Sequence, residues 1–165
     1  MGIKKFFMFL MTAICFCTAS FARQISVQIL QQDSAIEEIS EKSYDIETFV
    51  LDGFFEKNYI VTTSEASMFN TDDEALALWK SGLGEALNGS SDYFVQIEVF
   101  YISDESVRKA ESKIEKIVWK LARVKTGLVI NSATLSDIKF QPNGQEDLSA
   151  IAANLVKNIN SAIKA

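Results

Sequence analysis

The chain has 165 residues, with 16 basic and 22 acidic side chains, a formal net charge of −6, one proline, two cysteines and no histidine. Both cysteines, Cys15 and Cys17, lie in the N-terminal segment, so the remainder lacks disulfides, the commonest general base, the usual transition-metal ligands and a thiol nucleophile. The acidic balance speaks against nucleic acid as a partner, and against a strongly anionic lipid surface, because both call for basic surface to neutralise phosphates.

Residues 1–22 read as a signal peptide. Lys4 and Lys5 precede an almost uncharged apolar run over residues 6–21, and Ser20 and Ala22 place small side chains where a signal peptidase reads them. Cleavage between Ala22 and Arg23 leaves one domain, residues 23–165, exported to the periplasm or the cell envelope. The apolar run is shorter than the roughly 20 residues that span a bilayer, so no transmembrane segment is expected after cleavage. The bulky Ile14 and Phe16 before the two cysteines disfavour lipidation. Loss of Lys4 and Lys5 takes the formal charge of the domain to −8.

Residues 24–30 alternate apolar Ile25, Val27 and Ile29 with polar Ser26 and Gln28, the pattern of a strand with one buried face. From Asp33 or Ser34 to about Asn58 the apolar spacing becomes helical, as one long helix or as two broken near Ser43. Gly53 in its second half offers a place of close approach. Residues 59–63 are aromatic and β-branched and predict a second strand, parallel to the first across the helical crossover. Thr71 then offers an N-cap with Glu74 three residues on. The helix it starts carries Ala75, Leu78, Trp79, Gly82, Leu83 and Ala86 on its apolar face and stops at a left-handed Asn88-Gly89. Residues 93–102 alternate again. The run containing Ile117, Trp119 and Leu121 turns at Gly127 into Leu128-Val129-Ile130, an antiparallel pair. From Leu148 to Ile163 the i, i+3, i+4, i+7 spacing describes one amphipathic helix. The expected fold is α+β, an α/β sandwich in the order β-α-β-α-β-β-β-α, with a mixed, mainly antiparallel sheet covered by helices.

Few residues nominate a site. Residues 103–112 join two strands over a longer span than a usual hairpin loop, and their Asp104, Glu105, Arg108, Lys109 and Glu111 make a candidate partner-binding loop. Asp72-Asp73-Glu74 sit where capping accounts for them, without the spacing of a calcium loop. Phe54, Phe55 and Tyr59 read as core packing. No metal, cofactor or catalytic motif is present.

Strand one at residues 25–30, the helix-to-strand passage at 49–61 and the strand, Thr-Gly turn and returning strand at 121–130 together resemble a family of exported envelope domains. That family includes the periplasmic part of CsgG, the synthase activator LpoB and the N-terminal domain of TolB. The resemblance implies a fold and an envelope setting. Pore strands, an acylated cysteine and a flexible linker are missing from this sequence, so none of the family's functional residues carries over. The expected function is a non-enzymatic envelope protein that binds or assembles with another protein, through a sheet edge or the 103–112 loop. A small-ligand or lipid carrier is the alternative, and a carboxylate-dependent cell-wall hydrolase a third reading. Intact-mass measurement of the exported protein is expected to show a chain beginning at Arg23.

Overall fold

The computed structural model describes residues 22–33, 38–102 and 113–165. Nine elements follow in chain order: β1 (Gln24–Gln32), α1 (Glu41–Phe55), β2 (Ile60–Thr63), β3 (Ser67–Met68), α2 (Asp72–Asn88), β4 (Tyr93–Ile102), β5 (Lys113–Arg123), β6 (Leu128–Leu135) and α3 (Leu148–Lys164). They form an α+β fold around a mixed six-stranded sheet in the order β2-β1-β4-β5-β6, with the two-residue β3 paired to β1. β1 is parallel to β2, β3 and β4, whereas β4, β5 and β6 make an antiparallel meander.

Two layers of helix cover the sheet. α1 and α3 lie on the face that carries Ile25, Val27, Ile29, Val95, Ile97 and Leu121, and they build the larger core. Both helices are amphipathic for the expected reason: Ile46, Val50 and Phe54 on α1 and Ile151, Leu155 and Ile159 on α3 recur at helical spacing and are buried. They touch at Gly53, where a Cβ would stand 3.1 Å from Val156 Cγ2. α2 covers the opposite face, setting Trp79 and Ala86 against Phe94, Ala122 and Val124, and Ala75 against Leu30 and Phe69.

Four expectations need correction. β1 has two buried faces, not one: every residue from Ile25 to Gln31 is buried, because α2 covers the side that Ser26 and Gln28 occupy. α1 starts at Glu41 and runs without a break at Ser43, while residues 34–37 of the expected helical stretch lie outside the described residues. Ser40 caps it by accepting from the Lys42 N–H, and the Ser43 side chain faces inward. The stop of α2 is left-handed at Ser90 (φ 61°), whereas Gly89 stays right-handed with φ −76°. Ser91 N–H closes that end by donating to Ala86 O. β3 is an added strand too short to leave a period of its own.

The hairpin glycine does what its position requires. Gly127 has φ 65°, and its N–H donates to Arg123 O at the turn from β5 to β6. Gly82 is fixed by space instead: a Cβ there would lie 2.6 Å from Phe94 Cζ and 2.8 Å from Gln28 Oε1, both on buried side chains. Gly84, one turn-half further on the same helix, has nothing within 4 Å of such a Cβ. Gly82→Ala is therefore expected to cost about 1–3 kcal/mol through overpacking. Gly84→Ala should add up to about 1 kcal/mol through helix propensity. Urea denaturation of the two variants beside the parent checks the opposite signs.

Candidate interaction surface

β6 is the free edge of the meander. Among the described residues it pairs with β5 alone, from Arg123↔Leu128 to Ile117↔Leu135, with a shift of register at Leu121/Ala122. All of its residues except Leu135 are exposed, and Leu128, Val129 and Ile130 keep 64%, 50% and 38% of their surface in water. The strand Leu-Val-Ile-Asn-Ser-Ala-Thr-Leu has no charge and no proline. Natural edge strands usually carry such groups to prevent pairing with another chain, and here only the irregularity beside Ile130 serves that end. The arrangement leaves a row of backbone donors and acceptors next to apolar side chains, which suits addition of an extended strand.

A polar cluster braces the other end of the sheet. Gln31 is fully buried at the end of β1; its Oε1 accepts from Ser40 N–H and Ser43 Oγ, both at 2.8 Å, and its Nε2 donates to Glu38 O at 3.1 Å. Ser43 Oγ also meets Tyr101 OH at 2.9 Å. Burial raises the Tyr101 pKa, against the hydrogen bonds from Ser43 and Ser40. Next to it, Glu146 accepts from Lys42 Nζ and from Ile114 N–H, each at 3.1 Å. Tyr101 and Ile114 flank residues 103–112, so this cluster fixes the two strands from which that segment departs. A surface cleft of about 350 Å³ adjoins it, lined by Lys42, Phe49, Gln145, Glu146 and Asp147. Its two acids already have structural work: Glu146 holds Lys42 and Ile114, and Asp147 caps α3 by accepting from Ala150 N–H at 3.0 Å.

The candidate loop residues Asp104, Glu105, Arg108, Lys109 and Glu111 lie outside the described residues. Ala22 and Arg23 are exposed at the entry to β1. Asp72, Asp73 and Glu74 form the first turn of α2. Thr71 accepts from Glu74 N–H, and Glu74 Oε2 accepts from Asn70 N–H at 2.7 Å, one residue short of the box expected. No group of three or more carboxylates that could hold a metal ion occurs among the described residues. Of the aromatic trio, Phe54 and Tyr59 are core residues in edge-to-face contact at 5.6 Å. Phe55 is not; it is 73% exposed. The sequence expectation of binding through a sheet edge named no residues of that edge, although the lack of charge along Leu128-Val129-Ile130 was legible.

The family model that matches residues 24–164 is described as "Uncharacterised protein", and the chain belongs to that family. No curated protein matches it. Among solved structures, it is similar to a point-substituted PelC dodecamer from Paraburkholderia phytofirmans, at 15% identity and TM-score 0.52, over 87% of this chain and 90% of that one. This likeness shows the fold. Lipoprotein GNA1162 from Neisseria meningitidis (13% identity, TM-score 0.46, covering 84% and 99%) and the LpoB C-terminal domain from Salmonella enterica (13%, 0.37, covering 74% and 89%) are more distant. The LpoB domain is among the similar structures, whereas the expected likeness to CsgG and TolB rests on the sequence reading.

Burial by itself pushes the Glu146 carboxyl up, but hydrogen bonds from backbone N–H groups and from Lys42, with the charge of Lys42, bring it below the ordinary range. A depressed pKa in the fold contributes stability that is present above the unfolded value of about 4.3 and lost as pH falls through the folded value. Glu146→Gln is expected to cost about 1–3 kcal/mol at neutral pH and to flatten the acid limb of stability below about pH 4. Urea titrations at both ends of that range test it.

Proposed function

We propose that this member of the family is an exported, non-enzymatic envelope protein that binds another polypeptide by adding its extended strand to the free edge of β6. The observation that carries this reading is the uncharged, proline-free edge with three exposed apolar side chains at its start. The N-terminal signal supports the envelope setting. Clefts among the described residues open to the surface, and the one richest in acids has those acids committed to the fold, so binding is favoured over chemistry.

A second reading has its own observation. The opposite edge, β2, is Ile-Val-Thr-Thr and also uncharged and largely exposed. β6 of one copy against β2 of the next would be a head-to-tail contact, of the kind that closes rings. The PelC structure named above is a dodecamer. A second copy is therefore the alternative occupant of the same edge.

A photo-crosslinking amino acid at Val129 in the envelope is expected to capture one specific partner, with Thr48 on the exposed face of α1 as the silent control. Capture of a second copy selects the ring reading, and no capture above control ends both. With the crosslinker kept at Val129, Leu128→Lys beside it should reduce capture about tenfold or more, equivalent to about 1.4 kcal/mol, while changing stability by no more than about 0.5 kcal/mol because that side chain is 64% exposed.

A further inference from the structure

β2 forms the margin of the sheet opposite β6 and, among the described residues, pairs with β1 alone. Ile60 N–H donates to Arg23 O at 2.9 Å and Ser64 N–H to Val27 O at 3.0 Å, so the even-numbered residues turn their backbone groups toward β1. Alternation along the strand then directs the N–H and C=O of Val61 and Thr63 outward. Their side chains lie on the face that α1 covers, because Val61 and Thr63 are in register with Ile25 and Val27 of the larger core. Between β2 and α1 runs a surface cleft of about 430 Å³ whose lining includes Leu51, Asp52, Phe55, Val61 and Thr63. Partly buried Leu51 and Phe55, 73% exposed, make its apolar wall.

The charge on this cleft has one sign. Asp52 lines it without an ion-pair partner among the described residues. Glu47, one helical turn before Leu51 on α1, reaches over to β2 and accepts from the Thr63 hydroxyl. Exposed Glu65 follows just after the strand. Of the cations near the start of β2, Arg23 and Lys57 line a different cleft with Asn58 and Asn160, and exposed Glu56 stands next to Lys57 in the chain.

We propose that β2 and this cleft dock an extended polypeptide segment that carries an apolar residue and, two positions away, a lysine or arginine. The backbone of the segment exchanges hydrogen bonds with Val61 and Thr63, as an added strand does. Residues directly opposite each other on paired strands share a face, so the side chain across from Val61 enters the cleft against Leu51 and Phe55. Alternate residues return to that face, which sets the side chain across from Thr63 beside Glu47, with Asp52 on the cleft wall. A cation in that position is attracted and a carboxylate repelled. β6 of a second copy would also fit an open edge, but it has no charged residue and brings no cation to either acid. This inference concerns the edge opposite β6 and stands apart from what β6 itself binds.

The test uses the whole protein, purified from cells that express the full chain, and a capped fluorescent peptide of sequence Thr-Thr-Leu-Thr-Lys-Thr-Thr. Fluorescence anisotropy is expected to give a Kd of about 1 mM or below. The same peptide with glutamate in place of lysine should bind about fivefold or more weakly, because attraction becomes repulsion at an exposed pair. Asp52→Lys with Glu47→Gln should reverse that preference, and about 0.5 M salt should shrink it in the parent protein. Phe55→Ser should weaken both peptides, whereas Leu128→Lys on β6 should leave them unchanged. Equal binding of the two peptides, or no binding at about 1 mM, overturns the proposal. So does binding that Leu128→Lys abolishes, which places the peptide on β6, and binding that appears only in Leu128→Lys, which means that β6 of a second copy already occupies this edge.

Discussion

The structure depends on burying β1 on both faces. A strand in that position would ordinarily be apolar throughout, yet β1 carries Ser26, Gln28 and Gln31 into the interior, all nearly inaccessible to water. Each buried amide must find partners or cost free energy. Gln28 meets the Gln96 amide at 2.9 Å, and Gln31 is satisfied by Ser40, Ser43 and the Glu38 carbonyl. These two requirements shape the covering layers. α2 needs Gly82 because Gln28 and Phe94 already fill the space beneath it, and α1 needs Ser43 on a face otherwise made of Ile46, Val50 and Phe54.

The same arrangement separates the molecule into two ends. Since α1, α2 and α3 all run antiparallel to β1, their N-terminal ends fall together and the turns that follow α1 and α2 fall opposite. The polar brace of Gln31, Ser43, Tyr101 and Glu146 then belongs to the end where the helices start, where it anchors the strands on either side of residues 103–112. Exposed Phe55, Ile60, Leu87 and Leu128 lie toward the end where the chain enters. Along the third direction, across the sheet, the order β2-β1-β4-β5-β6 leaves two uncharged strands at the margins. Each kind of surface is thus a consequence of topology acting on residues scattered along the chain.

Much of the fold was legible because its signals are local. The Ile151-Leu155-Ile159 spacing, the Thr71 cap and the alternation of residues 93–101 each specify an element within a few residues. The misreadings share one cause, which is that burial is decided by what packs from elsewhere. Alternation in β1 looks like one wet face until α2 covers it. Ser43 looks like a helix breaker until Gln31 and Tyr101 meet it. Phe54 and Phe55 are neighbours of the same chemistry, yet one is core and the other lies in water, because adjacent helical residues face about 100° apart.

The candidate surface was less legible, again for a physical reason. The lack of charge in residues 128–135 could be read directly, but whether that strand is central or marginal depends on sheet order, a long-range property. By itself the sequence determined the longer elements, the α+β class and the missing histidine, since these follow from composition and short-range periodicity. Only the tertiary structure decided that β6 is an open edge and that Gly82 has no room for a side chain. Those facts depend on which distant residues become neighbours, and separation along the chain carries no measure of that.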